Sequence, residues 1–467
     1  MRCRIHRRHE AYSAFDVVAA YLQGEFNGLR VIARAPKGFR KYDEGGVEIV
    51  WILKRPLYGE PDAGRIWYST FVHYVTVTEP CRFQRCHYDP CAFVHVCSPE
   101  SGGGRILMTL YVDDGRTFDS NASSCDAFIA RLAKHFAIKP DGLEFYLGME
   151  IALPSPHVCI LTSRTFIASL CQRCLPKPLE SYAAVHTPGH PKLLDFYEAA
   201  LASRDVPRSQ NLLTRYRSIV GGGLWPAPNT RPDVLYEFGV LARAFTFPTE
   251  ELFECAVRAL VYLGQHPSYG IRFNGLSDNA AVAIAYSDSD WSVTRSVTGG
   301  CIQLAGGNVW SMSKRQDCTA CASTHAELIA ASTVANEVVW HRGLLDELGL
   351  PQHSPTVIYM DNAAVYSLSR DFASNAKSRH IERRHFIVRG HQHSGAINTR
   401  QIPTANNWAD LFTKLHTRVP FEKFTRAIMN LARLSIAVVQ PRAARFSEGI
   451  KLQRPVYGSR AAGRIWS

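Results

Sequence analysis

Acidic side chains set among apolar strand segments are the residues of this chain best suited to chemistry. Ile106 to Phe118 reads ILMTLYVDDGRTF, two apolar segments separated by Asp113-Asp114-Gly115, a composition that suits a tight hairpin. Taken alone, that pattern is explained by a solvated turn with no function. Far upstream, however, Phe15-Asp16-Val17 places another acid beside apolar strand residues. Phosphoryl transfer needs carboxylates gathered from separate strands to hold two Mg2+ ions about 4 Å apart, one on the attacking oxygen and one on the leaving oxygen. Asp16, Asp113 and Asp114 are of the right type for such a centre.

A second set of acids follows. Tyr286-Ser287-Asp288-Ser289-Asp290-Trp291 puts Asp288 in a short strand, and Thr324 to Ala331, THAELIAA, puts Glu327 on a helix. Val357 to Asn362, VIYMDN, ends a strand on Asp361, and Trp408-Ala409-Asp410-Leu411 opens a helical stretch with Asp410. Any one of these alone would be an ordinary surface acid. Metal-assisted hydrolysis of a phosphodiester asks for such a cluster, because an activated water and a departing oxygen each need a metal held by acids.

These acids need a scaffold, and the composition allows one. The chain has 467 residues, of which 46% are hydrophobic, enough for two or three domains with their own cores. Lys plus Arg is 53 and Asp plus Glu is 41, a net charge of +12 that suits a polyanionic partner without proving one. From Val47 to about Cys174 the pattern mixes strands and helices, and Pro176, Pro178, Pro188, Gly189 and Pro191 then mark a linker. Leu252, Ala256, Ala259, Leu260 and Leu263 form one apolar helix face, a core-packing pattern. A strand-rich block begins at Ala281, passes through a helix from about Thr324 to Leu348 and runs to about Leu415 as a separate domain.

The thirteen cysteines are scattered, there is no charged-then-apolar leader, and no apolar run is long enough for a bilayer, so a reduced intracellular protein is expected. Cys81, Cys86, His87, Cys91, His95 and Cys97 lack the usual zinc-ligand intervals and read as strand thiols. Arg454 to Trp466 repeats Arg55 to Trp67 at nine of thirteen positions. Solenoid units run to roughly 20 to 50 residues, so this distant repeat reads instead as a joined, broken-off second copy.

The ordered blocks AFDVVAAYLQGEF, ARAPKGF, LKRPLYGEPDAGRIW, LYVDD and EFYLGMEI resemble those of copia-type LTR retrotransposon (Pseudoviridae) reverse transcriptases. YSDSDW, AELIAAS and IYMDN are similar to the ribonuclease H segment of the same polyproteins, and YRSIVGGGLWPAPNTRPDVLYEFGVLAR to their connecting segment. The resemblance covers about Ala11 to Lys414. It implies an α+β architecture, with a polymerase palm (a ferredoxin-like sheet with helices) followed by a ribonuclease-H-like α/β domain with a mixed sheet. The implied division is 1–175 for a palm lacking most of the fingers, 176–275 for the linker and a helical thumb or connection, and 276–435 for ribonuclease H. The remainder, 436–467, repeats part of the palm and is expected to be disordered.

By the same resemblance Asp16, Asp113 and Asp114 are the catalytic, metal-holding acids of the palm, and Asp288, Glu327, Asp361 and Asp410 those of ribonuclease H, with two Mg2+ (or Mn2+) per site. Tyr21 matches the aromatic gate that clashes with a ribose 2′-hydroxyl, a core aromatic being the alternative. Asp62 falls beside the incoming nucleotide. Arg379, His380, Arg383 and Arg384 match a basic segment, read as phosphate contacts against the alternative of a solvated helix face. Ser287, Ser289 and Asn362 are candidate donors to RNA 2′-hydroxyls.

The implied activities are RNA-directed DNA synthesis and cleavage of RNA in RNA:DNA hybrids. The partners are an RNA template, a DNA primer, hybrid duplex and deoxynucleotide triphosphates, with no membrane and with the oligomeric state left open. The expected location is cytoplasmic, in a virus-like particle, with the nucleus as a second site. Fifteen residues precede Asp16, where the family carries a basic fingers segment, and Asp62 stands where it usually has a Gln. Both departures weaken the grip on a triphosphate, so primer extension is expected to be the poorer activity. A catalytically dead remnant that at most binds nucleic acid is the first rival reading. An integrase-like recombinase is the second, but its acids run Asp, Asp, Glu, and here Glu327 comes second.

Overall fold

Side chains alternate across a strand, so a strand covered on one face buries every second residue. Arg105–Tyr111 follows that rule, burying Ile106, Met108 and Leu110. A computed structural model of the protein describes residues 11–431 apart from 27, 29–30, 81, 98–103, 120–121, 277–279, 293–294 and 371–386. The tail from 436 onward and Arg379, His380, Arg383 and Arg384 therefore lie outside the described residues.

The first sheet contains β1 (Ala11–Val17), β2 (Gln84–Arg85), β3 (Ala92–Val96), β4 (Arg105–Tyr111), β5 (Asp114–Asp119) and β6 (Ile138–Pro140). Its order is β6-β1-β5-β4-β3-β2, antiparallel throughout. Helices α1 (Ala63–His73) and α2 (Ala122–His135) pack Trp67, Phe71, Phe128 and Leu132 against Phe15, Phe93 and Met108. The hairpin differs from the sequence expectation in one respect. Tyr111 pairs with Asp114, so the turn is Val112–Asp113, and Asp114 and Gly115 belong to β5. Gly115 is needed there because a Cβ would lie 2.1 Å from the Phe15 ring on β1.

A second antiparallel sheet, β7 (Phe145–Tyr146), β8 (Met149–Ser155), β9 (Val158–Thr162) and β10 (Ile271–Asn274), lies on either side of a helical stretch in sequence. That stretch is α3 (Arg164–Cys174), α4 (Leu193–Ala202), α5 (Gln210–Gly223), α6 (Leu235–Ala242) and α7 (Glu250–Gln265). The amphipathic pattern falls on α7, where Leu252, Ala256, Ala259, Leu260 and Leu263 are all buried. Thr249 caps it, its hydroxyl oxygen accepting from the Leu252 N–H.

The third sheet runs β13-β12-β11-β14-β15, with β11 (Ile284–Ser289), β12 (Val297–Leu304), β13 (Gly307–Arg315), β14 (Thr356–Met360) and β15 (Ile397–Gln401). The first three are antiparallel, while β11–β14 and β14–β15 are parallel, the mixed sheet expected for this part of the chain. Helix α8 (Ser323–Glu347) lays Leu328, Ala331, Val334 and Val338 on Ala285, Ile302 and Ile358. Helices α9 (Ala363–Arg370), α10 (Ile387–His393) and α11 (Arg418–Met429) follow. Tyr286, Val297 and Cys301 share a second core with α3 to α7 and α11, so the helical stretch and this sheet fold around common apolar residues.

The C-terminal end of α8 also meets the first sheet. The Glu347 carboxylate accepts the His87 and Tyr88 amides at 2.9 and 3.2 Å, and Arg105 Nη1 donates to the Leu348 carbonyl at 2.9 Å. No helix among the described residues is long and apolar enough to cross a membrane.

Candidate active site

Strand β11 carries Ile284, Tyr286 and Asp288 on one face and Ala285, Ser287 and Ser289 on the other, by the period of two. Asp288 is 4% exposed and lies opposite Gly299 of β12. The absent side chain at 299 admits the chain that crosses above it, since a Cβ there would sit 2.5 Å from Thr413 Cγ2 and 2.7 Å from the Ala409 carbonyl oxygen. Asp410 and Thr413 thereby reach Asp288. The Thr413 hydroxyl donates to Asp288 Oδ2, and Asn407 Nδ2 donates to the Ser287 carbonyl at 3.0 Å.

Glu327 enters from the first turns of α8. That helix start is tied down by the buried Gln316, whose Nε2 donates to Ser289 Oγ, Thr298 Oγ1 and the Ala326 carbonyl. Asp361 follows directly on β14, parallel to β11. Asp288, Glu327 and Asp361 each present a carboxylate oxygen, all within 4.8 Å of one another, and among the described residues no other group of three potential ligands is so gathered. Burial, with the neighbouring acids adding, pushes both Asp288 and Glu327 well above the ordinary carboxylate range. A hard divalent cation matches this all-oxygen, mutually repelling set.

Asp410, 4% exposed in the short helix Trp408–Phe412, stands beside the trio, and its Oδ1 pairs with Lys414 Nζ at 2.9 Å. His416 Nε2 lies 2.9 Å from the Asp410 carbonyl oxygen. The sequence reading missed Lys414, Thr413, Asn407 and Gln316. The i,i+4 interval of Asp410 and Lys414 was the available signal. Ser287 and Ser289 are 1% and 8% exposed, on the strand face away from Asp288, and so cannot reach a 2′-hydroxyl. Asn362 has a structural task, its Oδ1 accepting from the N–H groups of Ala364 and Val365.

The three N-terminal acids, Asp16, Asp113 and Asp114, are arranged differently. Asp16 and Asp114 are register partners on β1 and β5, and Asp113 is in the turn. The Val17 N–H donates to the Asp113 carbonyl at 2.7 Å and Trp67 Nε1 to the Val112 carbonyl at 2.6 Å, fixing the turn with Val112 at φ 59°. For a β-branched residue that backbone is strained, a feature that clusters at functional sites. Asp114 turns to the buried Arg116, 3.3 Å away, while Asp16 pairs with Lys139 at 3.4 Å. Asp113 and Asp16 both act electrostatically on the exposed Tyr58, whose hydroxyl is raised first by burial and next by Asp113. Tyr58 was not foreseen; it stacks on Tyr21 at 4.8 Å between ring centroids. Asp62, exposed, precedes α1 and pairs with Arg65 at 3.1 Å. Cys86 and Cys97 are buried and Cys91 exposed, and none joins a metal group among the described residues.

Comparison with known proteins shows what the chain is similar to. Residues 8–175 match the model of the reverse transcriptase (RNA-dependent DNA polymerase) family. The chain is 29% identical over 418 residues to the retrovirus-related Pol polyprotein from transposon RE1 of Arabidopsis thaliana, covering 88% of this chain and 27% of that protein. With the Pol polyprotein from transposon TNT 1-94 of Nicotiana tabacum it shares 28% identity over 416 residues, 87% of this chain and 30% of the relative. It thus spans less than a third of the curated relatives' length. A foamy viral protease-reverse transcriptase solved in complex with ds DNA aligns with a TM-score of 0.42 at 10% identity, over 85% of this chain and 58% of that one. Residues 8–175 thus match the reverse transcriptase family, and most of the chain is similar to the Pol polyproteins of plant retrotransposons.

Proposed function

We propose that this chain is the reverse transcriptase and ribonuclease H portion of such a polyprotein, and that its C-terminal centre cleaves the RNA strand of RNA:DNA hybrids. The observation that carries the reading is the gathering of Asp288, Glu327 and Asp361 oxygens within 4.8 Å. Mg2+ or Mn2+ held by these acids would polarise the scissile phosphate and lower the pKa of the attacking water. Asp288 and Glu327 are the primary ligands, Asp361 completes the set, and Asp410 flanks it. Thr413 and Asn407 orient Asp288, and Gln316 holds the helix that presents Glu327.

The N-terminal centre, with Asp16 and Asp113 as its acids and Tyr21 and Tyr58 at the nucleotide, performs RNA-directed DNA synthesis with deoxynucleotide triphosphates, but weakly. Supporting that asymmetry, Asp114 pairs with the buried Arg116 and Asp16 with the exposed Lys139, and among the described residues these acids are not gathered as the C-terminal trio is. Asp62 is part-neutralised by Arg65, which softens its repulsion of a triphosphate. The working division is a palm over 1–175, a connection over 176–275 and ribonuclease H over 276–435, with phosphate contacts at Arg379, His380, Arg383 and Arg384. Gel analysis of an RNA-labelled hybrid, with and without chelator, tests the reading. Metal-dependent cutting that Asp288→Asn and Glu327→Gln abolish is expected. Robust primer extension without any hybrid cleavage would overturn it.

A further inference from the structure

A two-ion centre needs acids for both ions, commonly one shared and others to either side, with the ions about 4 Å apart. Three of the four acids here converge on one point, which a single ion can satisfy. Asp410 is the acid left over for a second ion, and it is not a member of the gathered trio. Its carboxylate is already held by an ammonium, Lys414 Nζ at 2.9 Å, four residues further along the chain. The carboxylate is almost fully buried, with 5% of its side chain exposed, while Lys414 is 47% exposed and so reaches it from the solvent side. A divalent ion sits about 2.1 Å from a ligating oxygen. An ion on the same Asp410 oxygen would therefore be pressed against a like charge in a site of low dielectric, where such repulsion is strong.

We propose that Lys414 is the second cation of this centre, so that Asp288, Glu327 and Asp361 take a single divalent ion and the scissile phosphate meets one metal charge and one lysine charge. The proposal rests on the reading of the centre as a hybrid-cutting nuclease and deepens it. Lysine suits the task because its ammonium is a compact point charge with three donors on a flexible stem. It can hold Asp410 and still turn one N–H to a phosphate oxygen. It also specifies the metal stoichiometry from within the chain, at a residue that coordinates nothing.

The experiment uses the full-length chain carrying Asp16→Asn and Asp113→Asn, which silence the palm acids, and counts Mn2+ by calorimetry and by electron paramagnetic resonance of the free ion. One Mn2+ per chain is expected with Lys414 and with Lys414→Arg, which keeps the charge. Two are expected with Lys414→Ala and Lys414→Gln, which free Asp410. In parallel, the slope of hybrid cleavage against Mg2+ concentration should rise from about first order to about second order in the two neutral variants. Two ions with Lys414 in place, or one ion in all four forms, would overturn the proposal. Absence of saturable Mn2+ binding in every form would overturn the nuclease reading itself, a result distinct from a wrong count.

Discussion

Asp16 and Asp114 face one another across β1 and β5, yet they bind different cations, Lys139 at 3.4 Å and Arg116 at 3.3 Å. Arg116 is 1% exposed and also meets Asp141 at 3.0 Å, so Asp114 belongs to a packed structural cluster. Lys139 is 63% exposed, and its pair with Asp16 is the easily broken kind. Two adjacent acids thus have different surroundings: Asp113 lies in the turn, and Asp114 lies on the strand beside the buried Arg116.

The first prediction follows. Asp113→Asn should reduce nucleotide addition while leaving hybrid cleavage within about twofold, because distant sites without shared partners act additively. Primer extension and hybrid cleavage measured on one preparation decide it. Loss of both activities would mean that the two centres do not work independently.

A second prediction contrasts two glycines. At Gly299 a Cβ would meet Thr413 and the Ala409 carbonyl, a backbone atom that cannot swing aside, whereas at Gly221 on α5 nothing lies within 4 Å. Gly299→Ala should destabilise by about 1–3 kcal/mol and depress cleavage by displacing Asp410 and Thr413. Gly221→Ala should be neutral or stabilise by up to roughly 1 kcal/mol. Urea midpoints of the two variants test the contrast; equal effects would refute it.

The sequence carried the acids and their elements well. Asp288 in a strand, Glu327 on a helix near residue 324 and Asp361 at a strand end all fell where apolar periodicity put them. The helix at 252–263 did likewise, because its five apolar positions had one burial solution. What periodicity could not carry was orientation. Asp113 and Asp114 are adjacent and chemically identical, and only the pairing of Tyr111 with Asp114 assigns one to the turn and the other to Arg116. Ser287 and Ser289 flank Asp288, but the period of two turns them inward. Gln316 and Asn407 act through long-range hydrogen bonds, which leave no local pattern.

The third prediction concerns pH. Glu237 on α6 is 4% exposed, and burial, with Asp233 adding, pushes its carboxyl up to about 8. An unfolded Glu titrates near roughly 4.3. Between these values the folded state keeps a proton that the unfolded state has lost, so this residue's contribution is full below about pH 4.3 and is lost as pH rises towards 8. The change should amount to a few kcal/mol in order of magnitude. Glu237→Gln should flatten the dependence of the urea midpoint on pH between 5 and 8. An unchanged slope in that variant would assign the dependence elsewhere.

The last prediction tests Thr413 as a positioning residue. Its hydroxyl donates to Asp288 Oδ2 and also lies 3.2 Å from the Asp410 carbonyl, so one side chain fixes both the trio's central acid and the segment that carries its neighbour. Valine has nearly the same shape and cannot donate. Thr413→Val should therefore fold normally, leaving a buried Asp288 oxygen without its donor. Removing a hydrogen bond to a metal ligand commonly weakens metal affinity or activity by about 10- to 100-fold. The loss should appear as a higher Mg2+ requirement for hybrid cleavage, with much of the rate recovered at saturating metal, because the ligands themselves remain. Thr413→Ser, which keeps the hydroxyl, should restore the wild-type requirement. A merely structural role would instead lower the urea midpoint of Thr413→Val and leave the Mg2+ dependence of the folded fraction unchanged, and that result would remove Thr413 from the site.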